Sequence, residues 1–338
     1  NEHVRVPVEN IFNAVEDPIQ NTMRLLNSWI PNNPQHLAKA NVFLPILHGT
    51  FPADTETNVV RFDFNDQPES PDATLIIPLY GRCDFMRYQL SYFGKTKYTA
   101  NCEVIYVIDD PSIAEKVIKL AREMALISTQ AFSVLELSRN VGFGKANNIG
   151  VKYAKAEMIA LVNSDILPKT ANWLAMLLET AKQEDAGIVG ARLLFEDESI
   201  QHDGMAPMTL TEYPEILFND HPRKGWPKDL SPYQDAVAKC SMITAACWVM
   251  KKSLFEELNG FAPEYVLGDF EDSDMCLRAR ELGKTNYIRR DVELYHLERQ
   301  SQNLVQPGKW KHSVTLLNAV HFNNKWKAKL EKMQEAEV

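Results

Sequence analysis

No two cysteines of this 338-residue sequence are spaced C-x-x-C, and the five present (Cys83, Cys102, Cys240, Cys247, Cys276) are odd in number. That excludes a zinc ribbon and a disulfide scaffold and points to a reducing compartment. Long apolar runs are missing as well. The longest, "MITAACWVM" (242–250), is too short to span a bilayer. Positive charge is in deficit, with 36 Lys and Arg against 45 Asp and Glu and a net charge of −9, which excludes a general nucleic-acid binder. There is no Walker A motif, internal repeat or low-complexity tract. A secretory signal pattern is not seen, and the start at Asn1 rather than Met is compatible with a piece of a longer, cytoplasmic protein.

What remains, 45% hydrophobic and 24% charged, has the composition of a soluble globular chain with ample core. Residues 1–64 read as irregular and helical pieces broken by segments such as "WIPNNP" (29–34), and "NDQPESPD" (65–72) is a boundary signal. Beyond it, short apolar runs alternate with amphipathic helical patterns. Strands are expected at 73–80, 102–110, 132–138, 158–165 and 186–195, and helices at 83–93, 113–124, 144–154 and 171–183. This alternation predicts an α/β fold with a mostly parallel central sheet flanked by helices. Right-handed crossovers then place the strand C-terminal ends on one edge, where open sheets bind ligands. The expected division is an N-terminal extension and linker (1–70), the α/β domain (71–301) and a helical tail (302–338).

Each expected strand exit carries polar groups: Pro78, Tyr80 and Arg82 at the first, Asp109 and Asp110 at the second, "SRNVGFGKANN" (138–148) at the third and "NSD" (163–165) at the fourth. One such exit is an ordinary turn; four along one edge point to a ligand site. The G-x-G of the third segment lacks a further glycine at the right offset and does not follow the first strand, which rules out a dinucleotide fingerprint. Asp165, just past a buried strand, suits a hard cation shared with a substrate diphosphate.

The stretch "GDFEDSDMCLRARELG" (268–283) concentrates four acids before a helical pattern. With a helix starting near residues 269–271, Asp272, Met275, Cys276 and Ala279 share its apolar face. Asp272 then sits at the rim of the buried face, where it can take a proton from an attacking hydroxyl. Asp274 and Arg278, at i and i+4, are expected to form a solvated ion pair, and Asp269 to cap the helix or border an acceptor. His296 follows directly on the strand-like "DVELYH" (291–296).

Taken in order, "IIPLYGR" (76–82), "VIDDPS" (107–112), "NVGFGKANNIG" (140–150), "LVNSD" (161–165), "GARLLFEDESIQHDG" (190–204), "AACWVMKKSLFEELNGF" (245–261), "FEDSDMCLRARELG" (270–283) and "LYHLERQS" (294–301) resemble the family-2 glycosyltransferases of GT-A fold, of the inverting, bacterial polysaccharide and rhamnosyltransferase type. The resemblance spans about residues 73–301. It implies that Asp109 or Asp110 contacts the base or ribose of a nucleotide, with Pro78, Tyr80, Arg82, Asn140, Gly142, Asn148, Asn163 and Ser164 along the same pocket. It further implies that Asp165 and His296 hold a divalent metal, Mn²⁺ or Mg²⁺, and that Asp272 is the general base assisted by Glu271. His202, Trp248 and Asp269 would border the sugar or acceptor. Two positions depart from the family pattern: Asn163 replaces the first carboxylate of the metal motif, and Pro111 replaces a usual glycine.

The implied activity is transfer of a sugar from a UDP- or dTDP-sugar to a glycan or lipid-linked acceptor. The alternatives are a nucleotidyltransferase acting on a sugar phosphate and a non-catalytic binding module. The tail, with Trp310, Trp326 and five lysines between 309 and 329, reads either as a helix packed on the domain or as a peripheral contact with the inner membrane face. Residues 1–64 are candidates for oligomer contacts or for docking a neighbouring catalytic module.

Overall fold

A computed structural model of the chain describes Leu26 and residues 39–51, 57–233, 235–297 and 309–336. After helix α1 (Ala40–Thr50), strands β1 (Val59–Phe64), β2 (Ala73–Leu79), β3 (Cys102–Ile108), β4 (Phe132–Leu137) and β5 (Met158–Val162) are separated by helices α2 (Phe85–Phe93), α3 (Ala114–Ala125) and α4 (Phe143–Tyr153). The short β6 (Ile166–Pro168), helix α5 (Trp173–Ala181) and strands β7 (Ala186–Leu194) and β8 (Ile200–His202) follow. A two-stranded ribbon of β9 (Ala206–Leu210) and β10 (Tyr213–Asp220) leads to β11 (Val237–Lys239), β12 (Cys247–Lys251) and helix α6 (Lys252–Glu257). Helix α7 (Glu271–Glu281), β13 (Thr285–His296) and helix α8 (Lys309–Ala336) complete the described chain.

The main sheet runs β1-β4-β3-β2-β5-β12-β7-β13-β11. β4, β3, β2 and β5 are parallel neighbours, as are β7 and β13. β12 is inserted antiparallel between β5 and β7, so its start, Cys247, faces Val162 at the sheet edge where β5 ends. The expected mostly parallel α/β sheet is therefore present with an antiparallel member at its centre.

Alternation of side chains along a strand explains why these runs are apolar throughout. In β2, Leu75 and Ile77 face one core with α2, α3 and α5, whereas Ile76 faces the other. In β3, Val104 and Tyr106 face the first core and Ile105 and Val107 the second. The second core is closed by α4, α6, α7 and α8, with Trp248, Phe261, Phe322 and Trp326 fully or almost fully buried. The sheet thus lies between two helical layers.

Residues 59–64, expected to be irregular, form edge strand β1, antiparallel to β4 with Val59 opposite Leu137. Its burial is partial, which suits an edge strand with charged Arg61 and Asp63. Trp326 is buried against the domain and the part-exposed Lys325, Lys327 and Lys329 lie beside Asp274, Glu215 and Glu281, so this part of the tail is a helix packed on the domain. The side chain of Trp310, and most of residues 1–56, lie outside the described residues. Among the described residues no helix is long and apolar enough to cross a membrane.

Candidate active site

The parallel strands end on one edge, and the loops there are fastened to one another by carboxylates and backbone amides. Asp109, buried at the end of β3, accepts from the N–H groups of Val141 (2.6 Å) and Gly142 (3.0 Å). Burial pushes its carboxyl up to about 7, against the downward pull of those two N–H groups. Asp110 accepts from Gly81 N (3.1 Å), Ser112 N (3.0 Å) and Ser112 Oγ (2.6 Å), tying the β2 and β3 exits together. Asn140 Oδ1 caps the same turn through Gly142 N at 2.9 Å. Asp109, Asp110, Asn140 and Gly142 are thus neighbours, and both aspartates fasten the loops that follow β2, β3 and β4. Tyr80 and Pro78 are partly accessible at the end of β2. Arg82 is forked onto Asp84 (2.5 and 2.9 Å) and lies over the Phe85 ring at 4.8 Å. Asn148 holds Phe261 through both its backbone N–H (2.8 Å) and carbonyl (2.9 Å), so its amide serves the loop after α6.

The turn 163–166 follows β5. Its backbone is gripped by the buried Gln89 of α2, whose Nε2 donates to Asn163 O and Ile166 O at 3.1 Å each. Tyr106 Oη donates to the same amide's Oε1 at 3.2 Å. Gln89 is not apparent from the sequence, where one amide on an apolar helical face carries no signal. Ser164 is half-buried at the tip of the turn. Asp165 Oδ1 lies 3.4 Å from His296 Nε2, and Asn163 Nδ2 lies 3.5 Å from the same ring nitrogen. The other ring nitrogen, His296 Nδ1, is 2.8 Å from Gln201 Oε1, and Gln201 Nε2 donates to His296 O at 3.3 Å. An amide oxygen only accepts, so Nδ1 carries a hydrogen, and Nε2 is the ring nitrogen that faces Asp165. This is how a metal-ligating histidine is oriented by its outer partner. Among the described residues no group of three or more His, Cys, Asp or Glu could hold a metal ion. The donor set of one carboxylate and one imidazole fits a divalent cation that takes its other ligands from a diphosphate and water.

Asp272 is joined to this turn through the 245–246 segment just before β12. Asn163 N donates to Ala246 O (2.9 Å), and the adjacent Ala245 N donates to Asp272 Oδ2 (3.3 Å). The other oxygen, Oδ1, accepts from Ser273 N at 2.7 Å. The antiparallel insertion of β12 is what brings the 245–246 peptide between the two acids. Burial pushes the Asp272 carboxyl up to about 6, while the Ser273 and Ala245 N–H groups pull it down and Asp269 adds to the rise. Glu271 is buried, its Oε2 has no hydrogen-bond partner among the described residues, and burial followed by Asp272 drives its carboxyl well above the ordinary range. Two adjacent carboxyls with one proton preferentially on Glu271 leave Asp272 the better base.

Several expectations land elsewhere. Asp274 is not solvated: its fully buried side chain meets Arg278 Nε (2.6 Å), Lys325 Nζ (2.6 Å), Trp326 Nε1 (2.8 Å) and Tyr265 Oη (3.3 Å). Helix α8 supplies the lysine and the tryptophan, which local spacing does not reveal. Asp269 does not cap α7. It is exposed, in left-handed backbone (φ 75°), and accepts from Thr315 Oγ1 of α8 at 2.6 Å. Trp248 is fully buried and stacked on Phe261 at 5.6 Å, so it is core rather than acceptor border. His202 is buried beside His221 (3.0 Å between their Nδ1 atoms), and burial keeps its ring neutral; its neighbour Gln201 is the residue that reaches His296.

A mostly parallel sheet with polar strand exits beside a carboxylate–imidazole pair is an α/β arrangement of GT-A type. The family model "Glycosyl transferase family 2" matches residues 74–258, more than half of the sequence. The chain belongs to this family of glycosyltransferases, which speaks against the nucleotidyltransferase reading. It is 29% identical over 242 residues to the "Uncharacterized protein y4gI" of Sinorhizobium fredii (strain NBRC 101917 / NGR234), covering 69% of this chain and 25% of that protein. It is 25% identical over 241 residues to the "O-antigen biosynthesis protein RfbC" of Myxococcus xanthus, covering 69% of this chain and 18% of that protein. The matched region thus spans a quarter or less of these relatives' length. In fold the chain is similar to GalNAc-T7, solved with UDP, GalNAc and Mn²⁺ (TM-score 0.51, 12% identity, 67% of this chain, 44% of that one). It is also similar to the mannosyltransferase PcManGT of Pyrobaculum calidifontis, solved with GDP-Man and Mn²⁺ (TM-score 0.50, 16% identity, 93% of this chain, 86% of that one).

Proposed function

We propose that this glycosyltransferase moves a sugar from a nucleoside-diphosphate donor, UDP- or dTDP-linked, to a hydroxyl of a glycan or lipid-linked glycan, with inversion at the anomeric carbon. The observation that carries the reading is the hydrogen-bonded path from the Asp165–His296 turn through Ala246 and Ala245 to Asp272. It ties a diphosphate-suited pair to a carboxylate of raised pKa across two adjacent residues of β12's approach.

In this reading Asp109, Asp110, Asn140 and Gly142 shape the nucleotide pocket, with Pro78, Tyr80, Arg82, Asn163 and Ser164 on its walls. Asp165 and His296 would hold a divalent cation, Mn²⁺ or Mg²⁺, which when bound would supply positive charge against the leaving diphosphate. Asp272 accepts the acceptor's hydroxyl proton as the oxygen bonds to the anomeric carbon and the glycosidic C–O bond to the diphosphate breaks. Glu271, held protonated, positions Asp272 or donates a hydrogen bond to the substrate. One base on the face opposite the leaving group gives inversion. The length of the curated relatives supports a neighbouring module in the natural protein, and O-antigen biosynthesis in one of them supports a polysaccharide acceptor.

The test is donor hydrolysis and transfer with a panel of UDP-, dTDP- and GDP-sugars and Mn²⁺, reading the product anomer by NMR. Transfer with inversion that Asp272→Asn abolishes, while UDP binding persists, is the expected result. A retained anomeric configuration, or full turnover in the variant, overturns the mechanism.

A further inference from the structure

Past Gln201, the chain places a cluster of charges that the proposed chemistry does not use. The side chain of Asp203 is fully buried and meets three guanidinium groups: Arg290 Nε at 2.7 Å, Arg223 Nε at 3.4 Å and Arg192 Nη2 at 3.5 Å. Arg223 Nη2 also donates to Asp203 O (2.9 Å), and Arg192 Nη2 to Tyr233 O (3.2 Å). Arg223 and Arg290 lie over the Tyr233 ring at 4.3 and 5.3 Å. One carboxylate against three guanidinium groups leaves an excess of two positive charges in this largely buried place.

The described neighbours do not offset that excess. His202 is kept neutral by burial, and burial raises the Cys240 thiol. Glu198 and Glu293 are engaged with Lys169 and Lys228, two acids with two lysines. Buried Arg192 Nε has no hydrogen-bond partner among the described residues. Arginines in such a position are costly to leave unmatched, and their forked donors suit a carboxylate or a phosphate.

Position decides which substrate brings the anion. Arg192 is on β7 and Arg290 on β13, whereas the nucleotide loops follow β2, β3 and β4 on the other side of β5 in the sheet order. The Asp165–His296 pair joins the two groups, because Asp165 follows β5 whereas His296 ends β13, the strand that carries Arg290, and Gln201 of β8 holds its ring. The cluster is therefore on the side away from the base and ribose. Its rim is the segment 221–233, pinned to β8 through Ile200 N to Trp226 O (2.8 Å) and Gly225 N to Ile200 O (2.7 Å). On that rim Trp226 and Tyr233 are 50% and 48% exposed. Amphipathic rings of this kind pack against the apolar faces of sugars and keep polar tips in water.

We propose that Arg192, Arg223 and Arg290 form an anion subsite for the acceptor, with Trp226 and Tyr233 flanking its sugar rings, so that the preferred acceptor is an acidic saccharide. The inference rests on the glycosyltransferase reading above and adds the acceptor's chemical class. The acid is a uronate carboxylate or the diphosphate of a lipid-linked saccharide, since both offer the planar or clustered oxygens that guanidinium groups bind.

The experiment uses the full chain saturated with UDP and Mn²⁺. Three probes are compared by saturation-transfer NMR and calorimetry: a glucuronate-terminated trisaccharide, its carboxyl-reduced neutral form, and that neutral form carried on a short prenyl diphosphate. At least one acidic probe is expected to bind about tenfold or more tightly than the neutral one, a ratio that shrinks as salt rises. The arm that shows the gain identifies the source of the anion. In Arg223→Gln, the least buried of the three positions, the ratio falls toward one, and Arg223→Lys restores part of it; thermal melting of each variant verifies the fold. Equal binding of acidic and neutral probes by the wild-type chain, no binding of any probe, or a ratio unchanged in Arg223→Gln overturns the proposal. So does a charge preference that follows the donor, seen by comparing UDP-glucuronate with UDP-glucose. Failure of UDP and Mn²⁺ to bind in the same samples counts instead against the glycosyltransferase site, so the two failures are told apart.

Discussion

Asp165 Oδ1 lies 3.4 Å from His296 Nε2, with the opposite ring nitrogen fixed by Gln201 at 2.8 Å. The two residues are far apart in the α/β domain's sequence. β6 lays Ile166 beside His296, and Leu297 N donates to Asp165 O at 3.2 Å, so the backbone itself sets the approach.

The first prediction concerns this pair. Asp165→Asn removes the one carboxylate of the donor set and is expected to abolish Mn²⁺-dependent strengthening of UDP binding. Gln201→Met frees the imidazole to rotate and is expected to weaken Mn²⁺ affinity about 10- to 100-fold, the range typical of outer-sphere partners. Calorimetric Mn²⁺ titration in the presence of UDP reads both. Wild-type Mn²⁺ affinity in Gln201→Met removes the orienting role of the amide.

The second concerns the acid pair on α7. The Asp272 carboxyl is pushed up to about 6. A base with that value loses activity as pH falls below it, so kcat/KM is expected to drop about tenfold per pH unit under pH 6. The stability effect has the opposite sense. A carboxyl raised on folding favours the native state below its unfolded value and loses that contribution as pH rises through the folded one. The stability of Asp272→Asn relative to the wild type is therefore expected to rise by on the order of 2 kcal/mol between pH 4 and pH 8, whatever constant cost comes from losing one of the two N–H acceptors. Glu271→Gln, which still donates a hydrogen bond, is expected to keep activity within about tenfold, against a loss of about 100-fold or more in Asp272→Asn. Parallel pH–rate and urea-melting profiles check the pair. A rate flat from pH 5 to 8 would remove Asp272 as the base.

How much of this was legible in the sequence follows from what each residue's partner is. The runs 73–79, 102–108 and 158–162 announce themselves because both faces of the sheet are covered, which forces continuous apolar strands. β12 is as apolar, but nothing in "ACWVM" shows that it enters antiparallel between β5 and β7. That insertion is what links Asn163 to Asp272 through the 245–246 peptide. Asp274 departs from its expected surface position for a related reason. Its i+4 partner Arg278 is visible locally, whereas Lys325 and Trp326 arrive from a helix far along the chain and turn a surface pair into a buried junction.

That junction gives the third prediction. Burial opposes ionisation of Asp274, but Arg278, Lys325 and Trp326 outweigh it and hold the carboxyl below its usual range. Its stabilisation is present above the unfolded value near 4 and lost as pH falls through the lower folded value. Asp274→Ala removes the acceptor shared by part-buried Arg278, Lys325 and the buried Trp326 Nε1 and is expected to cost about 1–3 kcal/mol in urea unfolding. Lys325→Met, at a part-exposed position, is expected to cost about 1 kcal/mol or less. The same helix holds the approach to Glu271 and Asp272: Asn318 Nδ2 donates to Gly268 O (2.6 Å) and Val266 O (3.0 Å), beside Leu267, Asp269 and Phe270 in left-handed backbone. Asn318→Ala is expected to lower kcat several-fold with donor KM unchanged. A fall in stability alone, with kcat intact, would show that α8 only packs.

Gly142, just before α4, and Gly150, within it, separate a site effect from a packing effect. At Gly142 φ is +87°, and an added Cβ would stand 2.9 Å from Leu267 Cα. Neither strain is easily relieved. Leu267 is itself at φ 65°, and Phe143 N donates to Leu267 O at 3.0 Å, so a methyl group pushes backbone against backbone next to the Asp269–Asp272 segment. Gly142→Ala also disturbs the N–H that donates to Asp109. At Gly150 an added Cβ meets the side-chain Cγ2 of Ile76 at 2.5 Å, in the core beneath the sheet and away from the strand exits. Gly142→Ala is expected to cost about 1–3 kcal/mol of stability and to lower kcat/KM at least tenfold. Gly150→Ala, an overpacked core position, is expected to lose a similar ~1–3 kcal/mol with kcat/KM within about twofold of wild type at a temperature where both are folded. Thermal melts and initial rates on the same preparations supply the comparison. Equal kinetic losses in the two variants would mean that the Gly142–Leu267 contact serves the fold and not the geometry of the acids.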